Sequence, residues 1–248
     1  MNFDGNWRAT VTDNPLHLVP GFTGTSVCVA PYSDGVEREK FLVETFGSQE
    51  WLWDTPDVLR FNPDSRELEG VEFRLPEESA SAEETARLPV VPAARPGGLR
   101  AEEVREFRHR SATVLCRASG DTVLTCLRDL EVLSGPLEAR IGIASDLALI
   151  VQHGDVVGWS LSNPARYLTT AFAEPDPDPP HPATQQLLGE CLDLITQPMI
   201  YEVEGREPTA VVRLRAVDAA LRNQRYDRHR ADALLSLIGN MVEDYGSA

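Results

Sequence analysis

The sequence lacks long apolar runs, a secretory leader and paired cysteines. Its apolar stretches are strand-sized, well short of the roughly 20 residues that span a bilayer, so we expect no membrane association. The amino terminus does not show the basic start and apolar block of a signal peptide. None of the four cysteines forms a CxxC pair, and isolated thiols of this kind indicate a reduced, cytoplasmic protein.

Lysine is nearly absent as well. Of the 23 basic residues, 22 are arginine, and Lys40 is the exception. Because arginine codons are mostly GC-rich and lysine codons AT-rich, this bias indicates a high-GC bacterial source. It carries no information about function.

Recognisable reaction motifs are also missing. No serine lies on a Gly-x-Ser-x-Gly elbow, and the glycine-rich segment 21–24 lacks the lysine of a phosphate-binding loop. Glu106 and His109 have the ExxH spacing of di-iron proteins, but the second ExxH and the further glutamates of such a site are not seen. We therefore predict no metal site and no cofactor, and the motifs give no support to an enzyme.

Negative charge is what the chain has in excess. The formal net charge is -16, and residues 1–94, with 17 acids and 7 bases, carry -10 of it. Residues 131–208, with 12 acids and 3 bases, carry a further -9. Such a field repels nucleic acids and anionic membranes and favours a basic protein partner. Solubility alone is the alternative explanation of an acidic surface.

The most apolar part of the chain, residues 140–161, is predicted to be a central hairpin. Two apolar runs flank His153 and Gly154, where glycine permits the positive φ of a two-residue turn. A turn at this point would place Ala148 opposite Trp159. Strands that are apolar on both faces lie inside a sheet with other structure packed above and below.

Period-two alternation and turn residues predict further strands in the first two-thirds of the chain. They cover residues 6–12, 25–32, 41–46, 58–61, 71–75, 111–118 and 122–130. A bulge at Gly70 would bring the apolar residues around it onto one face. Residues 99–109 are predicted to begin as a short helix, since Val104 and Phe107 are three apart. The acid-, alanine- and proline-rich segment 77–98 is predicted to be a mobile surface connection.

The pattern changes after residue 172. Alternating prolines and acids over residues 174–182 predict a stiff linker, and beyond it the apolar period becomes about 3.6. Residues 183–245 are therefore predicted to be helical. Within them, residues 211–217 are assigned to a helix, with a strand paired to residues 199–203 as the alternative.

Together these patterns predict an α+β fold. A β-rich domain of largely antiparallel sheet covers residues 1–172, and the helical segment 183–245 packs on it. The helices are expected to need the sheet, because three helices alone would have little hydrophobic core.

Residues 95–130 stand apart from the acidic remainder, with 7 bases against 5 acids. The candidate binding residues in this segment are Arg105, Arg108, His109 and Arg110, with Arg100 and Arg117 nearby. Arginine forks hold phosphate or carboxylate groups, so this segment is a candidate site for an anionic ligand. The alternative is that these side chains pair internally with their acidic neighbours.

Trp51 and Trp53 form the second candidate site. They lie in a polar, loop-like stretch, and tryptophan is enriched at the energetic centres of binding interfaces. An exposed pair therefore predicts an interaction surface. The alternative is that one ring packs on the sheet and the other covers its edge.

The acidic charge, the tryptophan pair and the missing reaction motifs lead to one main hypothesis. The protein is expected to be a non-catalytic binding protein, most concretely an immunity- or antitoxin-like protein that neutralises a basic protein partner. The alternative is an enzyme or small-molecule-binding protein of a bacterial biosynthetic pathway, with an anionic ligand in a pocket between sheet and helices. A homo-oligomeric structural protein is a third class, and the sequence leaves the oligomeric state open.

Overall fold

The computed structural model describes residues 1–3, 7–48 and 57–246. Its strands are β1 (Asn2–Phe3), β2 (Trp7–Thr12), β3 (Gly21–Phe22), β4 (Ser26–Val29), β5 (Phe46–Gly47), β6 (Val58–Phe61), β7 (Leu68–Arg74), β8 (Glu78–Ser79), β9 (Ala94–Pro96), β10 (Gly98–Ala101), β11 (Val114–Arg117), β12 (Val123–Leu127), β13 (Ala139–Ala144), β14 (Leu147–Gln152) and β15 (Asp155–Ser162). Its α-helices are α1 (Gly35–Glu44), α2 (Ala82–Ala86), α3 (Pro182–Ile195), α4 (Met199–Glu204), α5 (Pro208–Asn223) and α6 (Arg228–Tyr245).

The larger of two sheets is mixed and mostly antiparallel. It runs β10-β2-β1-β15-β12-β11-β8, while β14, β13 and β9 continue outward from β15. Parallel pairing is confined to β1 with β15, β8 with β11 and β9 with β13. The predicted hairpin over residues 111–130 is confirmed as β11 and β12.

The central hairpin is confirmed as β14 and β15, but its predicted register is wrong. His153 and Gly154 form the turn, with φ values of 53° and 78° that match a type I′ turn. Beyond the turn, β15 contains one extra residue, which is a bulge. Leu149 therefore lies opposite Trp159, where Ala148 was expected.

The smaller sheet is antiparallel and runs β3-β4-β7-β6-β5. The predicted strand over residues 41–46 is wrong, because most of that segment lies in α1. Asp34 caps this helix by accepting the backbone N–H of Glu37 at 2.8 Å, and the Glu37 carboxylate accepts the N–H of Ser33. This N-cap outweighs the strand-like apolar residues around Phe41 and sets the segment as a helix.

The predicted bulge in β7 is confirmed next to Gly70. Gly70 lies opposite Arg60, whereas Phe61 lies opposite Leu68, so β7 has one residue more than its partner β6. Leu68 consequently turns toward the core and is buried. The bulge keeps the apolar residues of β7 on one face.

The predicted short helix over residues 99–109 is wrong. Residues 98–101 form β10, which pairs with β2 and buries Leu99 and Ala101. Strand pairing here overrides a weak helical spacing. The segment 77–98 contains β8, β9 and α2, which begins with a capping box between Ser81 and Glu84. Its mobility remains a prediction.

The two sheets pack face to face through aromatic side chains. Phe73 of the smaller sheet stacks on Trp159 of the larger one, with ring centroids 5.5 Å apart. Trp7 lies 5.1 Å from Phe61 in a second contact of the same kind. These large rings account for much of the buried apolar surface between the sheets.

The four carboxy-terminal helices share one continuous core with both sheets. Residues 211–217 belong to α5, so the helical assignment is confirmed and the strand alternative is excluded. The inward side chains of α5 are buried, namely Ala210, Val211, Leu214, Val217 and Leu221. In α6, Leu234 and Ile238 are fully buried. Within the described ranges, no helix is both long and apolar enough to cross a membrane.

Candidate functional site

The two tryptophan candidates, Trp51 and Trp53, lie outside the described residues, in the gap between residues 48 and 57. Their role in binding remains a prediction.

The basic segment is irregular, and its side chains diverge. Phe107 points into the core and stacks on Trp7 with ring centroids 3.9 Å apart. His109 packs its ring edge-to-face on Phe3 at 5.3 Å. Arg105 is exposed and lies 3.3 Å from the Glu103 carboxylate.

The remaining basic candidates differ in their exposure to solvent. Arg108 and Arg110 are exposed on either side of His109. Arg117 donates to the carboxylates of Asp121 and Asp193, each at 2.6 Å, so internal pairing holds for this residue. The proposal that this segment binds an anion remains a prediction.

Glu106, one half of the ExxH spacing, has a structural role. Its carboxylate accepts the backbone N–H of Gly47 at 3.2 Å and lies 3.5 Å from the guanidinium of buried Arg60. Arg60 in turn donates to the carbonyl of Leu42 at the end of α1. This network ties the basic segment to β5 and α1. Among the described residues, no group of three or more His, Cys, Asp or Glu is arranged to hold a metal.

A cleft of about 580 Å³ opens at the edge of the smaller sheet. Four segments line it: the loop before β3, strands β3 and β4, the turn leading into α1, and the start of the proline-rich linker. The lining residues are 17–19, 21, 28, 30–33, 37 and 171–175. We call this feature the acidic cleft, because its charged side chains among the described residues are Glu37 and Glu174, with His17 as the one imidazole.

A cysteine and a tyrosine form part of the cleft wall. Cys28 Sγ and the Tyr32 hydroxyl lie 3.2 Å apart, within hydrogen-bonding distance. Burial raises the pKa of the Cys28 thiol and the pKa of the Tyr32 phenol, so both are protonated at neutral pH. A protonated thiol is a poor nucleophile. Both groups of this pair can form hydrogen bonds to a ligand.

The rim of the acidic cleft exposes apolar side chains. Leu18, Val19 and Phe172 are 38%, 60% and 42% exposed. The Phe172 ring lies edge-on to Tyr32, with centroids 6.0 Å apart. Exposed apolar groups gathered around a concavity and bordered by polar residues are typical of a binding surface.

Asp57, the residue just before β6, has a buried carboxylate. Its carboxylate accepts the backbone N–H of Arg74 at 2.8 Å and that of Ala112 at 3.3 Å. The Trp159 indole N–H lies close enough to lower its pKa slightly, although it does not reach full hydrogen-bond geometry. Loss of hydration outweighs these donors, and burial raises the pKa of Asp57 to about 7.

Stability is therefore expected to depend on the charge state of Asp57. The raised pKa means that the folded protein holds a proton that the unfolded chain releases above pH 4. The stabilisation is complete below that value and is lost as the pH rises through about 7. In urea titrations, the wild type should lose about 2 kcal/mol relative to Asp57→Asn between pH 5 and pH 8. A difference between the two proteins that stays constant with pH would contradict this assignment.

The fold and cleft together define an α+β protein with an acidic cleft at the edge of its smaller sheet. Comparison with family models, curated proteins and solved structures finds no match for this chain.

Sequence reasoning did not find the acidic cleft. Its lining extends from residue 17 to residue 175 of the chain, and only folding brings Phe172 against Tyr32. The local signals are two aromatic residues: Tyr32, beside the predicted turn at residues 33–35, and Phe172, just before the linker. Neither stands out without the fold.

Proposed function

We propose that the protein is a non-catalytic binding protein that captures a basic protein partner, as an immunity or antitoxin protein captures a toxin. The observation that carries this proposal is the acidic cleft, a concave and partly apolar surface with two exposed carboxylates, on a chain of net charge -16. Negative charge attracts a cationic surface over long range, and exposed apolar groups then supply contact area.

The chemistry of the cleft supports binding in preference to reaction. Its thiol and phenol are neutral at pH 7, as free side chains of these types are, and burial raises the pKa of each further. The four cysteines are free thiols, three of them buried. Free thiols are typical of proteins that work in a reducing compartment, which supports action in the cytoplasm.

The volume of the cleft favours a second candidate function, the binding of a small molecule. About 580 Å³ lies within the range of small-ligand sites. The sequence suggested an anionic ligand held by arginines. Among the described residues that line the cleft there is no arginine or lysine, so a cationic or neutral ligand suits it better.

The salt dependence of association tests the main proposal. The protein would be immobilised, bound proteins from the source organism identified, and the association rate of the purified partner measured. We expect a basic partner whose association rate falls about tenfold or more between 0.05 and 0.5 M NaCl, because salt screens charge steering. A partner of acidic or neutral charge, or an association rate that does not change with salt, would contradict the proposal.

A further inference from the structure

We propose that the acidic cleft receives an arginine side chain projecting from the partner protein. This inference rests on the proposed function in one respect: the proposed partner protein is the molecule that carries the arginine. The recognition itself follows from the aromatic, apolar and acidic groups that the fold brings together around one concavity.

The aromatic rings provide the first element of recognition. The rings of Tyr32, in the turn before α1, and Phe172, just before the linker, meet edge to face with centroids 6.0 Å apart. Both residues line the acidic cleft. A cation over the face of such a ring is attracted by its quadrupole. A guanidinium is planar and weakly hydrated, so it stacks on an aromatic face more readily than an ammonium does.

The carboxylates provide the second element. Glu37 lines the cleft and is exposed, and its Oε2 atom accepts hydrogen bonds from the backbone and the hydroxyl of Ser33, each at 2.8 Å. These bonds hold the carboxylate in position in the lining that also contains Tyr32 and Phe172. Glu174 adds a second negative charge to the same lining. Opposite charges and a fixed acceptor match the forked N–H groups of arginine.

The remaining lining suits the rest of the side chain. Leu18 and Val19 expose apolar surface on which the methylene stem of an arginine can lie. The Cys28 and Tyr32 pair, held 3.2 Å apart, has lone pairs on sulfur and oxygen that accept N–H groups. An anionic ligand would meet two carboxylates here and no arginine or lysine among the described lining residues.

The test uses a single-residue probe with the full chain. N-acetyl-arginine amide would be titrated into ¹⁵N-labelled protein, with N-acetyl-citrulline amide as a neutral probe of nearly the same shape. We expect shifts at the amides of Gly21, Cys28, Phe172 and Ala173 with the arginine probe, and binding of about millimolar strength. The citrulline probe should bind at least several-fold more weakly. Equal responses to both probes, or shifts that lie away from the cleft, would overturn the proposal.

Three variants sharpen the assignment. Phe172→Ala removes an exposed ring and should weaken arginine binding about two- to fivefold, the usual size of an exposed cation–π contact. Glu37→Gln should weaken it to a similar extent. Glu39→Gln changes the same charge on the same helix at an exposed position outside the cleft, so it should leave binding unchanged. If Glu39→Gln weakens binding as much as Glu37→Gln, the probe responds to overall charge and the site is refuted.

The outcomes separate this inference from the proposed function. If the arginine probe fails at the cleft while a basic partner still associates in a salt-dependent manner, the inference is wrong and the function stands. If the probe binds in the cleft but the captured partner is not basic, the proposed function is wrong and the arginine site stands. A preference for N-acetyl-lysine amide over the arginine probe would also overturn the assignment to arginine.

Discussion

Replacing Arg230 by alanine is expected to lower the free energy of unfolding by about 3–5 kcal/mol. The side chain is 1% exposed and donates to the Asp227 carboxylate at 2.7 Å. It also donates to the backbone carbonyls of Asp176 and Asp178, at 2.7 and 2.5 Å. Its removal leaves the Asp227 charge buried without its cation and leaves linker carbonyls without donors.

Chemical unfolding of the wild type and the variant measures this difference. Arg225→Ala is the matched control, because Arg225 is exposed and lies in the turn just before α6. Its unfolding midpoint should equal that of the wild type within error. Arg230→Lys keeps the charge but has fewer directed N–H groups, so it should recover only part of the loss. An Arg230→Ala protein as stable as the Arg225→Ala control would show that the linker is not held in this way.

Replacing Gly158 by alanine is expected to destabilise the protein by about 3 kcal/mol, because the central strand has no room for a side chain at that point. An added Cβ would lie 2.1 Å from the carbonyl oxygen of Cys126 and 3.0 Å from the Cα of Leu127. Both are backbone atoms of β12, which pairs with β15 at this position. Relief of the clash would require the two strands to separate.

Gly239→Ala is the control for this substitution. Gly239 lies inside α6, and apart from its chain neighbours and the helix's own backbone no atom lies within 4 Å of the position that its Cβ would take. Alanine favours the helix over glycine, so this variant should gain about 0.5–1 kcal/mol. The two alanine variants should thus shift the thermal unfolding midpoint in opposite directions. Shifts of the same sign would refute the close backbone approach at Gly158.

The predicted register failed because β15 contains one extra residue, Val157, between Val156 and Gly158. The apolar pattern of residues 147–161 identified both strands, and the turn at His153 and Gly154 was correct. A bulge shifts the alternation by one residue, but β14 and β15 are apolar on both faces, so the shift leaves no trace in their hydrophobic pattern. The extra residue became visible only when Leu149, and not Ala148, was found opposite Trp159.

Two local assignments failed for different reasons. The apolar residues of segment 41–46 predict a strand, but Asp34 and Glu37 mark a helix start upstream, and the helix is what forms. Residues 98–101 carry no strong local signal, and pairing with β2 decided their conformation. The sequence could have corrected the first error but not the second.

The position of the linker is another feature that local sequence patterns do not predict. Alternating prolines and acids over residues 174–182 indicated a stiff connection, and nothing local indicated where it would lie. Arg230, some 50 residues later, holds two of its carbonyls. The carbonyls that Arg230 holds come directly after the residues of this segment that line the acidic cleft, so part of the site lies next to a contact made by a distant residue.

By itself, the sequence determined the α+β class, the central hairpin, the carboxy-terminal helices and the acidic charge, because composition and hydrophobic period are properties of neighbouring residues. The tertiary structure alone decided the bulged register, the strand at residues 98–101 and the acidic cleft. These features arise where segments far apart in the chain come into contact, and their energies depend on atoms that no local window contains.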